Sequence, residues 1–282
     1  MAAVGGVRAW LGGLGRSVGR FGDTARTALE HVSGIWLLLL QALRHIAIAP
    51  TAGGREMRRQ LAPMLRNVGV RSFPIVALVN LLTGAILVLQ TGDVLQSYGQ
   101  IQQAPGMVAL SMTRELGPMM TAVVMTARVG ASYTAVLAAM RINEEIDALQ
   151  TMAIHPVGFL VAPRVLAMIV MMPCLTVLAF LIGMGGGALI ANAAYDISFP
   201  LYVEKTEEML AMNDVLGGLL KAVVFSLLIS TISCYYGFIA KGGPTGLGRY
   251  TMVSVVTSLV VVVATDALLT GFWVNYTTSG LE

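Results

Sequence analysis

The sequence predicts an all-α polytopic membrane protein, with a basic interfacial region followed by five membrane-spanning helices. Two observations support this fold class. Of the 282 residues, 56% are hydrophobic and 12% are charged, whereas soluble domains have about 25% charged residues. The apolar residues also form blocks near the ~20 residues that a helix needs to cross the hydrocarbon core. Most of the chain therefore belongs in lipid, and a soluble enzyme is excluded.

Residues 1–71 form the basic region, and their charge indicates which side of the membrane they occupy. They contain ten arginines and three acidic residues, so the positive-inside rule places them in the cytoplasm. Residues 32–49 are apolar but include Arg44 and His45. We predict that they lie in the membrane plane as an interfacial helix. Residues 7–21 form either a basic amphipathic helix on anionic lipid or a frayed tail.

Residues 72–276 form the predicted membrane domain. With the N-terminus inside, five crossings put the C-terminus outside the cytoplasm. The loop charges agree, because the two inside connections carry four basic residues, whereas the outside segments 91–105 and 191–214 carry only Lys205. The five apolar blocks are 73–90, 106–140, 165–190, 215–240 and 253–276.

The second block is longer than a bilayer requires, and we predict a bend at Gly117-Pro118. Proline has no backbone N–H, so Pro118 cannot donate to the carbonyl of Arg114 four residues earlier, and its ring crowds that carbonyl. The helix is therefore expected to bend at this position.

Four ionisable residues inside the blocks are the candidate functional site. Each costs about 2.5–3.5 kcal/mol at the bilayer centre, so each needs a partner or a water-filled cavity. Counting 1.5 Å per residue from the outer end of each span brings three of them to a similar depth. We predict a polar node that either lines a cavity and couples helix movements or only fixes helix register. Its members are Arg114, Glu115, Lys221 and Asp266.

Residues 141–153, between the second and third blocks, are predicted to form a short acidic amphipathic helix in the cytoplasm. Ile142, Ile146 and Leu149 fall on one face. Acidic groups are poorly suited to an anionic lipid surface, so this helix suits a groove in a soluble protein, with a solvated loop as the alternative. The candidate contacts are Arg141, Asn143, Glu144, Glu145, Asp147 and Leu149.

No catalytic or nucleotide-binding motif is present in the sequence. G-x-x-x-x-G-K-[ST], HExxH and G-x-S-x-G are all missing. The cysteines and histidines do not have the spacing of metal ligands. We therefore predict no catalytic residue, no metal, no cofactor bound by this chain and no nucleic-acid partner.

Several motifs resemble the MlaE/YrbE permease family, over roughly residues 30–275. The central run is long and specific. Residues 1–30 are longer and richer in arginine than in compact members, so the resemblance assigns them no role. The matching motifs are RELGP at 114–118, ARVGA at 127–131, MRINEEIDAL at 140–149, APR at 162–164, FIAKGGPTGLG at 238–248 and DALLT at 266–270.

This resemblance implies the membrane subunit of an ABC transporter that moves lipids, with glycerophospholipid as the expected cargo, between the bacterial inner membrane and the outer envelope. It also implies a second permease copy or a close paralogue, a cytoplasmic ATPase that binds ATP-Mg, an MCE-domain protein on the outer side and usually a small STAS-domain protein. The four intramembrane charges, the coupling helix at 141–152 and the interfacial helix at 32–49 match positions of the family.

The lipid is expected in an apolar cavity between protomers, lined by the first and fifth spans. Candidate lining residues on the first span are Leu78, Leu82, Ile86 and Leu89. Two alternatives remain open. One is an ion-coupled secondary transporter that uses the charged node as a relay and needs no ATPase. The other is a structural scaffold for an envelope complex.

Overall fold

The computed structural model describes residues 29–47 and 54–279, with side chains described in 29–47 and 59–273. Regular structure in these ranges is entirely helical, which confirms the all-α prediction. The predicted helix at 7–21 lies outside the described residues, as does part of the predicted 1–71 region.

The α-helices of the described part follow one another with short connections. Wider π-helical turns join some of them, at Arg66–Val70, Met112–Leu116, Thr126–Gly130 and Val157–Val161. The helices are α1 (29–47), α2 (Gly54–Leu65), α3 (Phe73–Ser97), α4 (Ala104–Ser111), α5 (Gly117–Met125), α6 (Ala131–Ile142), α7 (Glu145–Thr151), α8 (Ala162–Tyr195), α9 (Phe199–Met209), α10 (Met212–Phe238) and α11 (Gly243–Ser279).

Five continuous helical stretches of the described residues are long and apolar enough to cross a membrane, which confirms the predicted number. Most extend beyond their apolar blocks, because a helix continues through polar residues until a turn or cap stops it. The stretches are Arg59–Ser97, Ile101–Ile142, Val157–Tyr195, Met212–Phe238 and Gly243–Trp273.

Helix α8 lies at the centre of the bundle, with α3 on one side and α10 on the other, and α10 in turn packs against α6 and α11. Glycines bring α3 and α8 together at backbone distance. A Cβ atom at Gly84 would clash with the carbonyl of Gly183, and one at Gly186 would clash with the carbonyl of Leu81. Such close approach replaces side-chain interdigitation where both surfaces are apolar.

The helix between the second and third spans is shorter than predicted. The prediction ran from 141 to 153, but Arg141 belongs to the last turn of α6 and α7 covers only Glu145–Thr151. Glu144 separates them with a φ of 61°, which an amphipathic pattern cannot reveal because hydrophobic spacing carries no information on backbone handedness.

The apolar face of α7 packs against its own chain. Ile146 is buried and Leu149 is half-buried in the main core. The predicted contact of this helix with a soluble partner stays a prediction, and its polar side is the one that is exposed for such a contact.

Helix α1 packs at the same end of the bundle as α7. The ring nitrogen Nδ1 of His31 lies 2.9 Å from the hydroxyl of Tyr235, and the rings of His45 and His155 are 4.7 Å apart. The opposite face of α1 exposes apolar side chains such as Trp36. Its placement in the membrane plane stays a prediction.

The connection at the other end contains a helix that sequence reasoning missed. Residues 191–214 were expected only as an outside segment, yet α9 forms within them and packs against α4. Pro200 occupies its first turn, where a missing N–H costs nothing. The buried Tyr202 anchors α9 to the bundle.

Candidate functional site

Lys221 is the centre of the charged node and joins three parts of the fold. Its ammonium, on α10, lies 2.7 Å from Glu115 Oε2 in the π-helical turn before α5 and 3.0 Å from Asp266 Oδ1 on α11. Lys221 is 6% exposed and Asp266 8%, so neither charge is solvated by bulk water. The structure thus brings together three of the four predicted node residues.

The hydrogen bonds of Lys221 are fully used within the node. An ammonium has three donors, and they reach Glu115 Oε2, Thr270 Oγ1 at 2.7 Å and the carbonyl of Arg114 at 3.0 Å. Asp266 Oδ1 is left with a Coulombic contact and no hydrogen bond. The node is therefore crowded around one cation.

Pro118 explains why a carbonyl takes part in this cluster. In an uninterrupted helix the N–H of residue 118 would donate to the carbonyl of Arg114, but proline has no such donor. The preceding turn widens into a π-helical geometry, and Lys221 supplies the missing donor to that carbonyl. The wider turn before Pro118 is thus stabilised by a charged side chain from α10.

The side chain of Arg114 has a different partner from the one the predicted node implied. Its Nε lies 2.7 Å from Asp214 Oδ1, at the start of α10, where Asp214 also accepts the N–H of Ala211 as a helix cap. Asp214 is 4% exposed. The cluster therefore holds two cations and three carboxylates, since Asp214 joins the predicted four residues.

Sequence reasoning missed Asp214 and Thr270 as members. Asp214 was assigned to the outside segment because the apolar block begins one residue later. Thr270 follows Asp266 by four residues, which places both on one face of α11. Its hydroxyl lies 2.9 Å from Glu115 Oε1 and 2.9 Å from the carbonyl of Asp266. That i, i+4 spacing was the signal that could have identified it.

A cavity of about 330 Å³ opens beside the node. Arg114, Glu115 and Lys221 of the node lie on its polar side, and the side chain of Arg114 is 45% exposed. Its apolar side includes Leu220, Phe272 and Trp273. Gly218 lets α10 approach the carbonyl of Thr113 closely. The cavity thus offers a charged wall and a hydrocarbon wall to a single ligand.

The six candidate contacts around α7 are arranged mainly at its exposed side. Arg141 forms an ion pair with Asp147, and Asn143 donates to Glu145 Oε1 at 3.5 Å. Glu144 is exposed in the turn, whereas Leu149 faces the core. The Arg141–Asp147 pair connects the end of α6 with α7 at the surface.

The four candidate lipid-lining residues do not line the cavity beside the node. They form an outward stripe on α3, opposite the face that packs on α8. Helix α11 exposes a similar apolar stripe that includes Val256 and Val260. The stripe on α3 consists of Leu78, Leu82, Ile86 and Leu89.

Comparison with known proteins gives a consistent result. The family described as Permease MlaE matches residues 61–272. A probable ABC transporter permease protein of Rickettsia prowazekii is 39% identical over 72% of this chain and 78% of its own length. A probable ABC transporter permease protein of Synechocystis is 34% identical over 80% of this chain and 86% of its own length.

A plant relative points in the same direction. The chloroplastic protein TRIGALACTOSYLDIACYLGLYCEROL 1 of Arabidopsis thaliana is 31% identical over 78% of this chain and 63% of its own length. ABC permeases work with an ATPase, so an ATPase partner follows from the family. With five apolar helices and these matches, the chain is a multi-pass ABC transporter permease and belongs to the MlaE permease family.

Proposed function

We propose that this permease moves glycerophospholipid between the bacterial inner membrane and the outer envelope, driven by ATP hydrolysis on a separate subunit. The observation that carries the proposal is the cavity beside the node, which joins buried charges to an apolar wall. A phospholipid has both chemistries, with a charged headgroup and hydrocarbon chains. The Arabidopsis relative is named after a galactosyl diacylglycerol, which supports a diacylglycerol-based lipid as the substrate, whereas the charged headgroup is inferred from the cavity alone.

Within the cavity, Arg114 is the side chain best placed to meet a phosphate. It is the more exposed of the two cations. Lys221 is also less available, because its ammonium already donates hydrogen bonds to Glu115, Thr270 and the carbonyl of Arg114. Binding of a phosphate by Arg114 would compete with its ion pair to Asp214. Since Asp214 caps α10, loss of this ion pair would directly affect the N-terminus of that helix. The node in this proposal couples lipid occupancy to helix position.

The proposed assembly contains a second copy of this chain or a close paralogue. The exposed apolar stripes on α3 and α11 would face the partner and enclose lipid between the two protomers. The exposed polar side of α7 would contact the ATPase, which holds ATP-Mg, while this chain binds no nucleotide. An MCE-domain protein on the outer side and a small STAS-domain protein complete the proposed complex. The N-terminus is cytoplasmic and the C-terminus periplasmic.

Lipid transfer by the reconstituted complex tests the proposed role of the node. Asp266→Asn removes one carboxylate charge with little change of volume, so transfer is expected to fall about tenfold, the factor that corresponds to one weakened charged contact. The matched control is Glu208→Gln on α9, whose side chain is 56% exposed. Full transfer by Asp266→Asn, combined with a lower melting temperature, would instead assign the node a structural role.

Purification in mild detergent separates the transport mechanisms. A co-purifying ATPase and enriched phospholipid are the expected result. If the chain arrives alone and moves its substrate along an ion gradient, the node is an ion relay and the ATP-driven proposal fails. If all four node charges can be neutralised without loss of transport, the result favours the interpretation of the chain as a structural scaffold.

A further inference from the structure

A second cavity, of about 760 Å³, lies where α2 and the following turn meet the start of α8. Three arginines line it, namely Arg66, Arg71 and Arg164. The other polar side chains in its wall are the neutral Gln60 and Asn67, and none of the described side chains that line it is acidic. We refer to it as the basic cavity. The described part of its wall therefore contains no charge that compensates the three arginines.

Arg164 is the buried member of this set. It is only 8% exposed, and its guanidinium donates one hydrogen bond, to the carbonyl of Leu160. The ring of Tyr133 lies 5.8 Å away, in cation–π range. No carboxylate of the described residues forms an ion pair with it. Because a guanidinium has five donors, most remain available toward the cavity.

Arg66 and Arg71 lie at the rim of the basic cavity. The π-helical turn between them places both side chains in its wall, and Asn67 Oδ1 accepts a bond of 3.4 Å from Arg71. Three guanidinium groups that share one cavity repel each other unless an anion lies between them. A guanidinium group can donate two parallel hydrogen bonds to two oxygens of one phosphate, so a phosphate group is the anion that fits best.

The basic cavity is separate from the charged node. Phe180 packs against Gly117 and Gly218 beside the node. It follows Arg164 on α8 by sixteen residues, which is roughly 24 Å at 1.5 Å per residue. An occupant of one site therefore does not touch the other.

The position of the basic cavity favours a lipid over a soluble anion. Arg71 lies two residues before the start of α3, and Arg164 lies in the first turn of α8. Both helices enter the hydrocarbon region from this end. Val70 and Phe73, which flank the rim in sequence, are exposed apolar side chains. A phosphate bound here would have hydrocarbon-compatible surface beside it for attached acyl chains.

We propose that the basic cavity binds the phosphate-bearing headgroup of an anionic lipid, held as a fixed companion of the permease and distinct from the lipid at the node. Its assignment to the cytoplasmic leaflet rests on the topology given under Proposed function. The bound lipid neutralises Arg164 and joins α2 to α8, which are separate elements at the entrance to two spans.

The test is lipid binding by the purified full chain, measured by native mass spectrometry after titration with phosphatidylglycerol or phosphatidylcholine. Arg66→Gln/Arg71→Gln is the test variant, because both side chains are exposed and their replacement leaves the core intact. Arg59→Gln/Arg249→Gln is the control, with the same charge change at exposed positions outside the cavity. The expected result is about tenfold weaker phosphatidylglycerol binding in the test variant only.

Three results would overturn the proposal. The first is equal binding of phosphatidylglycerol and phosphatidylcholine by the unaltered chain. The second is the same loss in both double variants, which would indicate a diffuse charge effect. The third is occupancy by inorganic phosphate alone that matches occupancy by the lipid, which would assign the cavity to a free anion. Since the assay uses no ATPase and no transfer, these results leave the transport proposal untouched.

Discussion

Buried cations at the two ends of the bundle differ in how their charge is neutralised. At the node, Lys221 lies within 3.0 Å of carboxylates from two other elements, Glu115 and Asp266. At the basic cavity, Arg164 is comparably buried but forms no ion pair with a described carboxylate. The first site is neutralised from within the chain, whereas in our proposal the second is neutralised by the phosphate of a bound lipid.

This difference follows from where each site lies along the spans. The node lies well inside the second, fourth and fifth spans, where an unpaired charge is costly and solvent cannot compensate for it. The basic cavity lies at the ends of spans, where headgroups and water are within reach. A cation deep in a membrane protein therefore needs a partner encoded in the sequence, and a cation at the interface can use a lipid.

The largest effect is expected when the cation is removed from the node, which tests whether Lys221 stabilises it. Lys221→Met leaves Glu115 and Asp266 close together without a counter-charge and leaves the carbonyl of Arg114 without a donor. A loss of about 3–5 kcal/mol in unfolding free energy is expected, the range for breaking a buried pair on one side. Thermal unfolding in a single detergent measures the change.

Lys205→Met is the matched control for this substitution. Lys205 pairs with Glu208 at 2.7 Å, but that pair is exposed on α9, so its removal should cost at most about 1 kcal/mol. If both methionine variants lose the same stability, Lys221 does not bind the node together.

Away from the node, Glu145→Lys tests whether the exposed side of α7 contacts the ATPase. The change reverses one charge on a helix whose apolar face stays packed through Ile146, so membrane insertion should be preserved. Association with the ATPase is expected to weaken about tenfold, which corresponds to about 1.4 kcal/mol. Pull-down of the ATPase by the tagged permease measures it, with Glu208→Lys on α9 as the control. Unchanged association would remove α7 from the interface.

Pro118→Ala restores a backbone donor and so tests the contact between Lys221 and the carbonyl of Arg114. The N–H gained at this position could bond the carbonyl of Arg114 itself, so Lys221 would no longer be needed there. Lys221→Met should then cost about 1 kcal/mol less in the Pro118→Ala background than in the original chain, the usual size of one hydrogen bond. A double-mutant cycle of unfolding free energies measures this coupling. Strict additivity would mean that the contact between Lys221 and that carbonyl contributes no stability.

Much of the fold and the centre of the node followed from fixed helix dimensions. Rise per residue and bilayer thickness together set the depth of Lys221 and Asp266, so the two could be matched without any contact information. The same arithmetic failed for Asp214, because hydropathy misses where α10 begins by a few residues and therefore placed a capping carboxylate in a loop.

The structure around the basic cavity and α7 was less predictable for a different reason. Arg164 entered the topology argument as one more basic residue, since charge counting does not distinguish a buried guanidinium from an exposed one. The turn at Glu144 depends on a left-handed backbone conformation, which hydrophobic spacing does not encode. Interfacial structure is decided by such local turns, whereas the spans are decided by length and apolar content.

The smallest expected effect concerns the docking of α1 on the bundle, where His45 and His155 face each other. Partial burial lowers the pKa of His45 from its usual value of about 6.5, and the nearby charges of His155 and Arg44 lower it further. Because the docked form binds the proton less tightly than the undocked form, docking is fully favourable above about pH 6.5 and weakens as the pH falls toward the lowered value. Amide exchange of residues 38–47, corrected for intrinsic rates, should therefore be faster at pH 5.5 than at pH 7.5. His45→Gln should abolish this difference while leaving the contact between His31 and Tyr235 in place, and the same acceleration in that variant would show that another group controls the docking of α1.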